Sequence, residues 1–296
     1  MASFKAFLAT ALLVFGQPVF ASPTSGIRTS ISPVDSMVRR VRRDNVTAPG
    51  PRVHIVSPES LKQFDGLTVP PAKAGNSLKP RVVGQDNRFE WNNSEYPHRA
   101  IGAVDIGIGF CSGSLVGHRH VVTARHCVLS ATPEMRFLPD YFDGERAGSS
   151  NVIDVIMMEQ GEDGDCRRMD DWAILILADN LGDKYGYFGA KEIDCATQKD
   201  QQLFTHVGYP SDKGNQRRPF RQADIFVIRC DTCQKGPSLL TDADGGRGQS
   251  GGPLYRIVDG LAWQYGVMSA FGDTGTVFAS GSNFVNAIAK ARKEYL

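Results

Sequence analysis

The chain has 296 residues, of which 41% are hydrophobic and 22% charged, and its basic and acidic residues nearly balance to a formal net charge of +1. Because the basic residues are scattered, nothing indicates nucleic acid or an anionic membrane surface as a partner. The six cysteines predict up to three disulfides if the chain enters an oxidising compartment.

Residues 1–21 have the pattern of a secretory signal peptide. Lys5 precedes an apolar run over residues 6–15, and the sequence Val19-Phe20-Ala21 supplies a small-residue cleavage site. A membrane-spanning helix needs about 20 apolar residues, roughly twice the length of this run. We therefore predict cleavage after Ala21 and a secreted, extracellular product without a membrane partner.

Residues 22–81 differ in composition from the rest of the chain. They are rich in Pro, Ser and basic residues, lack apolar periodicity, and contain the dibasic pairs Arg39-Arg40 and Arg42-Arg43. Such a segment cannot bury enough apolar surface to offset the entropy lost on ordering. We predict a processed, largely disordered pro-segment, with a disordered tail of no function as the alternative. Asn45 and Asn92 are expected glycosylation acceptors if the host glycosylates.

Patterned sequence begins near Val82 and consists mainly of short β-rich runs separated by Gly, Asp and Pro. The runs are residues 101–108, 113–116, 120–123, 152–157, 172–177, 203–207, 224–229, 253–258 and 261–270. Short strands at regular spacing predict an all-β barrel or sandwich. One helix is predicted at the end, where Ser282 caps a segment with Phe284, Val285 and Ile288 on one face.

A serine between glycines stands near the C-terminal end, in the sequence Gly248-Gln249-Ser250-Gly251-Gly252-Pro253. Glycines there allow a tight turn and bring backbone amides close to a substrate carbonyl. The same pattern fits the G-x-S-x-G elbow of α/β-hydrolases, in which the catalytic histidine follows the serine. All six histidines precede Ser250: His54, His98, His118, His120, His126 and His206. This order disfavours an esterase or lipase.

The sequence Thr123-Ala124-Arg125-His126-Cys127 resembles the T-A-x-H-C motif of chymotrypsin-like serine proteases. That family also has an aspartate directly before an apolar strand, as Asp171 stands before residues 172–177; Asp170 is the alternative. The order His126, Asp171, Ser250 matches chymotrypsin and not subtilisin. The resemblance implies an all-β fold of two six-stranded antiparallel Greek-key barrels, about 82–190 and about 191–281. A C-terminal helix over about 282–296 would follow.

The resemblance also implies a function. We expect a secreted serine endopeptidase, made as a zymogen-like precursor, that hydrolyses protein or peptide substrates through an acyl-enzyme intermediate. His126 would act as general base, Asp171 would orient it, and the backbone N–H groups of Gly248 and Ser250 would form the oxyanion hole. We expect a monomer without a cofactor. The competing class is a protease-fold binding protein without catalysis.

Cysteines and histidines outside the three motifs leave fewer possibilities. In the family, the cysteine beside the catalytic histidine pairs with one just upstream, which implies a Cys111–Cys127 disulfide. The Cys230-Asp231-Thr232-Cys233 sequence favours a small structural loop over a redox motif, which leaves Cys166 to pair with Cys195; pairings among these four cysteines stay open. His118 and His120 alternate along a strand, but no Cys or carboxylate completes a metal site, so no metal is expected.

Within the superfamily, the chain is most similar to the glutamyl endopeptidases. The similar sequences lie at residues 82–88, 96–101, 187–189 and 208–213. Gln249 stands where chymotrypsin-like zymogens usually carry an Asp that pairs with the new N-terminal ammonium, so activation must differ. The resemblance implies cleavage between Arg81 and Val82, with the new N-terminus near the substrate pocket.

The pocket residues depart from the glutamyl endopeptidase pattern. Met268 aligns with the histidine that binds the substrate carboxylate, and Met cannot donate a hydrogen bond to it. Gly245 stands where a hydroxyl residue is expected, and Asp244 aligns with the acid at the pocket floor of trypsin-like enzymes. We predict poor cleavage after Glu and a preference for Arg or Lys over a medium apolar residue. Ser269 is expected to line the pocket and hydrogen-bond to Asp171.

Overall fold

The computed structural model describes residues 50–64, 68–71, 86–131, 133–158, 168–233 and 236–296. Within these ranges, the chain forms sixteen strands arranged in two sheets, together with five short or medium α-helices. The predicted signal peptide with Ala21, the processing site at Arg81 and Val82, Asn45 and Cys166 all lie outside the described residues.

Each of the nine predicted runs overlaps a strand, because apolar residues recur along each run and pack into a barrel interior. The strands are β1 Arg52–Val56, β2 Phe89–Glu90, β3 Ile101–Asp105, β4 Phe110–Leu115, β5 His120–Thr123, β6 Arg136–Pro139, β7 Ser150–Met158, β8 Ala173–Leu177, β9 Gly189–Ala190, β10 Phe204–Gly208, β11 Phe220–Ile225, β12 Val227–Cys233, β13 Gly236–Thr241, β14 Pro253–Val258, β15 Leu261–Gly272 and β16 Gly275–Ala279. The helices are α1 Pro58–Leu61, α2 Arg125–Leu129, α3 Leu181–Tyr185, α4 Cys195–Gln198 and α5 Ser282–Glu294.

The first sheet is a closed barrel with one added strand. Its order is β1-β7-β6-β3-β4-β5-β8, and a further pairing between β7 and β8 closes the six strands β3 to β8. All pairings within these six are antiparallel, whereas β1 joins β7 in parallel. The interior contains the fully buried side chains of Val121, Phe137 and Leu175.

The second sheet also curls on itself. Its order is β12-β13-β16-β15-β14-β10-β11-β2, and β11 and β12 are separated only by Phe226, so the path returns to its start. Its own core includes Phe204, Leu254 and Phe278, none of which is exposed. The predicted all-β architecture of two antiparallel barrels with a C-terminal helix is therefore confirmed.

Two short strands cross the predicted barrel boundary. β2 precedes the first barrel in sequence but pairs with β11 of the second sheet. β9 likewise pairs with β15. The chain therefore begins its folded region on one barrel, touches the other, and returns, which places residues 86–90 beside the second barrel.

The predicted disorder of the pro-segment is wrong for residues 50–64 and 68–71. β1 extends the first sheet, Leu61 is fully buried, and Phe64 is 7% exposed. The residues that cover these side chains belong to the rest of the fold and not to the segment itself. Local periodicity therefore could not reveal that the segment is ordered. The ordered fold thus begins well before Val82.

Helix α5 is confirmed, with a different start. Phe284, Val285 and Ile288 are buried, as the apolar face predicts. The N-cap is Gly281, with φ of +106°, and no side chain caps the helix; the prediction that Ser282 is the cap is therefore wrong. Glycine accepts this left-handed backbone without the steric cost of a Cβ. No helix in the described ranges is long and apolar enough to cross a membrane.

Two disulfides are present among the described residues. Cys111 pairs with Cys127, as the family resemblance implies. Cys195 pairs with Cys230, so the expected Cys166–Cys195 and Cys230–Cys233 pairings are wrong. Cys230 and Cys233 lie in the single extended strand β12, where residues three apart are about 10 Å apart, beyond disulfide reach. The chain after Cys195 instead runs beside β12, with the Asp200 N–H donating to the Val227 carbonyl.

Candidate active site

His126 and Asp171 belong to the first barrel and bind each other directly. His126 lies in α2, just after β5, and the Cys111–Cys127 disulfide ties that helix to β4. The His126 backbone N–H donates to Asp171 Oδ1 at 2.9 Å, and ring Nδ1 lies 2.7 Å from Oδ2. Two contacts from one carboxylate fix both the backbone and the ring of the histidine.

The carboxylate also determines the imidazole tautomer. An ionised Asp171 only accepts hydrogen bonds, so Nδ1 carries the proton and donates, which leaves Nε2 of the neutral ring as a lone-pair acceptor. Ser269 Oγ donates to the same Oδ2 at 2.6 Å, so the predicted hydrogen bond from Ser269 is present. The Asp171 side chain is 16% exposed and that of His126 44% exposed. The free nitrogen can therefore meet a molecule from solvent.

The alternative residues have other surroundings. Asp170 is buried and accepts a hydrogen bond from Asn283 of α5 at 3.3 Å, whereas the hydrogen bonds of His126 go to Asp171. His118 pairs with Asp183, and His120 Nε2 contacts the Tyr295 carbonyl at 2.9 Å. In the described part of the chain, no group of three or more metal-ligating side chains comes together.

Ser250 lies on the second barrel, in the loop between β13 and β14, and its residue is half-buried. Its carbonyl accepts a hydrogen bond from the Ser112 N–H of the first barrel at 2.8 Å, which joins the two barrels beside the serine. A Cβ on Gly251 would lie 2.2 Å from Thr123 Oγ1 and 2.3 Å from the Ser112 carbonyl. Glycine after the serine is therefore required for this close approach.

Gly248 supplies a second connection between the barrels. Its φ is +91°, a left-handed conformation, and its carbonyl accepts from Ser112 Oγ at 2.8 Å. Ser112 Oγ in turn accepts from the Tyr209 N–H at 2.9 Å. Within the described ranges, the backbone N–H groups of Gly248 and Ser250 donate to no protein acceptor. Two fixed donors beside a serine hydroxyl can bind an anionic oxygen.

The predicted pocket residues lie close together but leave little space. Met268 is fully buried within the apolar core of the second barrel. A Cβ on Gly245 would lie 2.9 Å from Met268 Cε and 2.3 Å from Phe271 Cβ. Asp244 accepts from the Asn87 N–H at 2.8 Å. Side chains thus pack directly against Gly245, and the Asp244 carboxylate already has a protein partner.

Sequence reasoning missed the residues that hold the serine loop from outside. Ser112 lies in β4, outside the residues of the candidate triad, and Arg88 lies far from those residues in sequence. Arg88 Nη1 donates to Gln249 Oε1 at 2.8 Å. Burial opposes the charged form of Arg88, but hydrogen bonds to Asp86 and Asp212 raise its pKa above the usual value. The sequence offers no signal for this contact beyond the place of Arg88 in the stretch 82–88 that resembles the glutamyl endopeptidases.

Comparisons with known proteins found a matching family model and a similar relative. The family model described as Trypsin matches residues 90–288. The glutamyl endopeptidase of Bacillus licheniformis is 29% identical over 169 residues, which cover 48% of this chain and 46% of the relative. The match therefore spans less than half of that relative's length.

Solved structures show the same fold at low identity. A Glu endopeptidase in complex with MPD has a TM-score of 0.60 at 22% identity, covering 72% of this chain and all of the other. The protease Anisep from Arthrobacter nicotinovorans has a TM-score of 0.50 at 19% identity, covering 66% and 98% of the two chains. The thermostable serine protease AL20 from an extremophilic microorganism gives 0.50 at 18% identity, covering 67% and 98%.

Proposed function

Since this chain belongs to the trypsin family, whose model matches residues 90–288, we propose that it is a secreted serine endopeptidase with Ser250 as nucleophile. One observation carries the proposal: the carboxylate of Asp171 holds His126 by ring and backbone at 2.7 and 2.9 Å while it also accepts from Ser269 of the second barrel. This arrangement suits a base that takes the serine proton.

The mechanism begins with proton transfer. His126 Nε2 accepts the proton of Ser250 Oγ as this oxygen attacks the scissile carbonyl carbon and forms the tetrahedral intermediate. Asp171 stabilises the imidazolium that forms, because its carboxylate already accepts from Nδ1. The imidazolium then donates the proton to the leaving amine, and the C–N bond breaks. Water, activated by the same histidine, hydrolyses the acyl-enzyme and restores Ser250.

Backbone donors stabilise the charge that develops on the carbonyl oxygen. The N–H groups of Gly248 and Ser250 are the proposed donors, and Ser112 supports them by its hydrogen bonds to the carbonyls of both residues. One such donor contributes on the order of 3 kcal/mol to transition-state stabilisation.

The Ser250 hydroxyl makes no hydrogen bond to His126 within the described residues. Catalytic hydrogen bonds are often long without substrate and shorten in the Michaelis complex. We propose that substrate binding brings the hydroxyl to Nε2. If the nucleophile and the base never approach each other, the second candidate function is that of a binding protein. The contact of Phe271 with Gly245 also favours this candidate, because it leaves little space in the proposed pocket.

Specificity follows from the pocket side chains. We propose poor cleavage after Glu, because the buried Met268 offers no donor to a substrate carboxylate. Asp244 would repel Glu and attract Arg or Lys. Burial, and then the proximity of Asp244, raise the pKa of Asp242. At a pH above that pKa, Asp242 adds a second negative charge near Asp244.

A P1-varied peptide library tests activity and specificity together. Wild-type protein should cleave peptides after Arg or Lys, and Ser250→Ala should cleave none. Asp244→Asn should weaken the basic preference. Strong cleavage after Glu would contradict the proposed pocket, whereas no cleavage of any peptide by the processed protein would favour the binding protein.

Biosynthesis is part of the proposal. A signal peptide cleaved after Ala21 would direct secretion, which suits the two disulfides. Cleavage between Arg81 and Val82 would follow, and Asn92, which is exposed, is a proposed glycosylation acceptor. N-terminal sequencing of active secreted protein tests the processing site; the absence of any chain that starts at or near Val82 would contradict it.

A further inference from the structure

Gln249 separates the two proposed oxyanion donors and is held by a distant arginine. Its side chain is fully buried, and Oε1 accepts from Arg88 Nη1 at 2.8 Å, while Nε2 has no partner in the described structure. The Ser250 N–H belongs to the peptide unit that Gln249 begins, so its direction follows from the Gln249 backbone, and Gly248 is bonded directly before Gln249. A contact that immobilises the Gln249 side chain therefore acts directly on the Ser250 donor and, through the adjoining backbone, on Gly248.

Arg88 is itself rigidly placed. Its side chain is 5% exposed, and it forms paired hydrogen bonds with two carboxylates. Asp86 accepts at 3.1 and 2.9 Å, and Asp212 accepts at 3.2 and 2.5 Å. A Cβ on Gly246 would lie 2.7 Å from Arg88 Nη1, so the guanidinium packs directly against the serine loop.

The neighbouring residue ties down the other end of the loop. The Asn87 N–H donates to Asp244 Oδ2 at 2.8 Å. Residues 86–88 therefore hold both Asp244 and Gln249, at opposite ends of the segment that leads into the serine. The permanent charge of Arg88 makes its hydrogen bond to the amide oxygen stronger than a neutral one.

We propose that Arg88 is a positioning residue for the oxyanion hole, acting through Gln249. A side-chain guanidinium in residues 86–88 would thereby replace the free N-terminal ammonium that usually orders this loop in chymotrypsin-like enzymes. The inference rests on the proposed function, since it concerns the same hole.

Steady-state kinetics of four variants test this role: Arg88→Met, Arg88→Lys, Gln249→Leu and the double variant Arg88→Met/Gln249→Leu. Arg88→Met and Gln249→Leu should each lower kcat by about 10²-fold with KM within about threefold, and weaken a peptide aldehyde inhibitor in parallel. Arg88→Lys should restore part of kcat. The kcat of the double variant should lie no more than about threefold below that of the less active single variant, because both substitutions remove the same contact.

Arg292→Met is the matched control. Arg292 also donates to several backbone carbonyls, including that of Phe188 at 2.7 Å, but lies on α5. Its loss should lower Tm without changing the aldehyde affinity. If Arg88→Met does not fold, Gln249→Leu still decides. A wild-type kcat in either single variant, or multiplicative losses in the double variant, would overturn the role of Arg88. Absence of wild-type turnover would instead overturn the proposed function.

A separate observation concerns the segment before the proposed processing site. β1 pairs with β7 over five positions, and the buried carboxylate of Asp154 accepts from Arg52 at 2.6 and 2.8 Å and contacts His54 at 2.8 Å. Removal of β1 would therefore break both side-chain contacts of Asp154 and the five-residue strand pairing together.

The same segment continues across the rest of the fold. Leu61 is fully buried in the main apolar core. Thr68 exchanges hydrogen bonds with Ala190, its Oγ1 accepting from the N–H at 2.8 Å. Arg292 donates to the Val69 carbonyl at 3.2 Å. The contacts therefore reach β7, the apolar core, β9 and α5.

We infer that residues 50–71 stay bound in the active protein, whether or not the chain is cut between Arg81 and Val82. The first cysteine of the chain is Cys111, so no disulfide can hold this segment after a cut. It would remain as a non-covalent strand and turn, the partner surface being the edge of β7 together with α5.

Native size-exclusion chromatography followed by denaturing mass spectrometry tests this inference. Active secreted protein should contain residues 50–71 in a 1:1 ratio with the remainder, in one chain or as a separable peptide. Leu61→Ala should lower Tm by about 5–10 °C, and the control Val53→Ala, at a side chain on β1 that is half exposed, should change it little. Fully active protein that lacks residues 50–71 would overturn the inference and leave the proposed function intact.

Discussion

The two barrels build their halves of the candidate site differently. In the first barrel, His126 and Asp171 bind each other through two contacts, and a disulfide anchors the helix of the histidine. In the second barrel, the loop around Ser250 takes much of its shape from outside, through Ser112, Asn87 and Arg88. The difference implies that the first half tolerates changes in its surroundings better than the second half does.

The largest expected effects come from the first half and from the nucleophile. Ser250→Ala and His126→Ala should each lower kcat by about 10⁶-fold while the fold stays intact. Asp171→Asn should cost about 10⁴-fold, since it removes the carboxylate that fixes the Nδ1–H tautomer. Asp170→Asn is the control, and a larger loss there than at Asp171 would show that the aspartate was assigned wrongly. Peptide hydrolysis measures kcat, and thermal unfolding measures whether the fold stays intact.

A pair of serines on β4 tests the dependence of the loop on the first barrel. Ser112 Oγ binds the Gly248 carbonyl at 2.8 Å, whereas Ser114 Oγ binds Gln264 Oε1 at 2.9 Å, and both serines are fully buried. Either change to Ala should cost about 1–3 kcal/mol of unfolding free energy. Only Ser112→Ala should lower kcat, by about 10–100-fold. Equal effects of both variants on kcat would remove the special role of Ser112.

Ser269→Ala sharpens the comparison at the point where the barrels share a carboxylate. Loss of the 2.6 Å hydrogen bond to Asp171 Oδ2 leaves both contacts from His126 in place. We therefore expect kcat to fall by only about 10-fold, with little change in KM. A loss as large as that of Asp171→Asn would mean that the second barrel, and not the histidine contacts, holds the carboxylate in position.

The last expected effect is that of pH on the stability of the fold. Burial lowers the pKa of His98, His120 and His206 to about 4, against about 6.5 in an unfolded chain. Between these values the unfolded chain binds protons that the folded one does not. The contribution of these three histidines to the stability of the fold is therefore complete above about pH 6.5 and is lost as the pH falls toward 4.

Each histidine contributes on the order of 3 kcal/mol to this loss. Chemical unfolding at pH 7.5 and pH 4.5 measures it. His206→Gln should reduce the pH dependence by about one third, because it removes one of the three buried histidines. An equal pH dependence in wild type and His206→Gln would contradict the assignment.

The fold and the first half of the site could be predicted because their signals are local. The run before His126 and the strand after Asp171 carry their residues in fixed order, and apolar alternation marks the strands. Arg88 and Ser112 could not be predicted, since their partners lie 161 and 136 residues away in sequence. The Cys195–Cys230 disulfide was missed for the same reason, because neighbouring strands, and not the spacing of cysteines in the sequence, bring these two residues together.

The order in residues 50–64 and 68–71 escaped prediction for a related reason. The segment around Leu61 and Phe64 has too few apolar residues to form a core of its own. They become buried only because α5 and the first barrel supply the surrounding surface. Composition describes what a segment can do alone and omits what the rest of the chain provides.

Labelling with a serine-directed organophosphate tests the central claim most directly, because only a serine activated by a neighbouring base reacts rapidly. Processed wild-type protein should be modified once, at Ser250, with loss of all peptide hydrolysis, and Asp171→Asn should react far more slowly. Properly folded, processed protein that shows no modification of Ser250 would contradict the account and identify a binding protein on the protease fold.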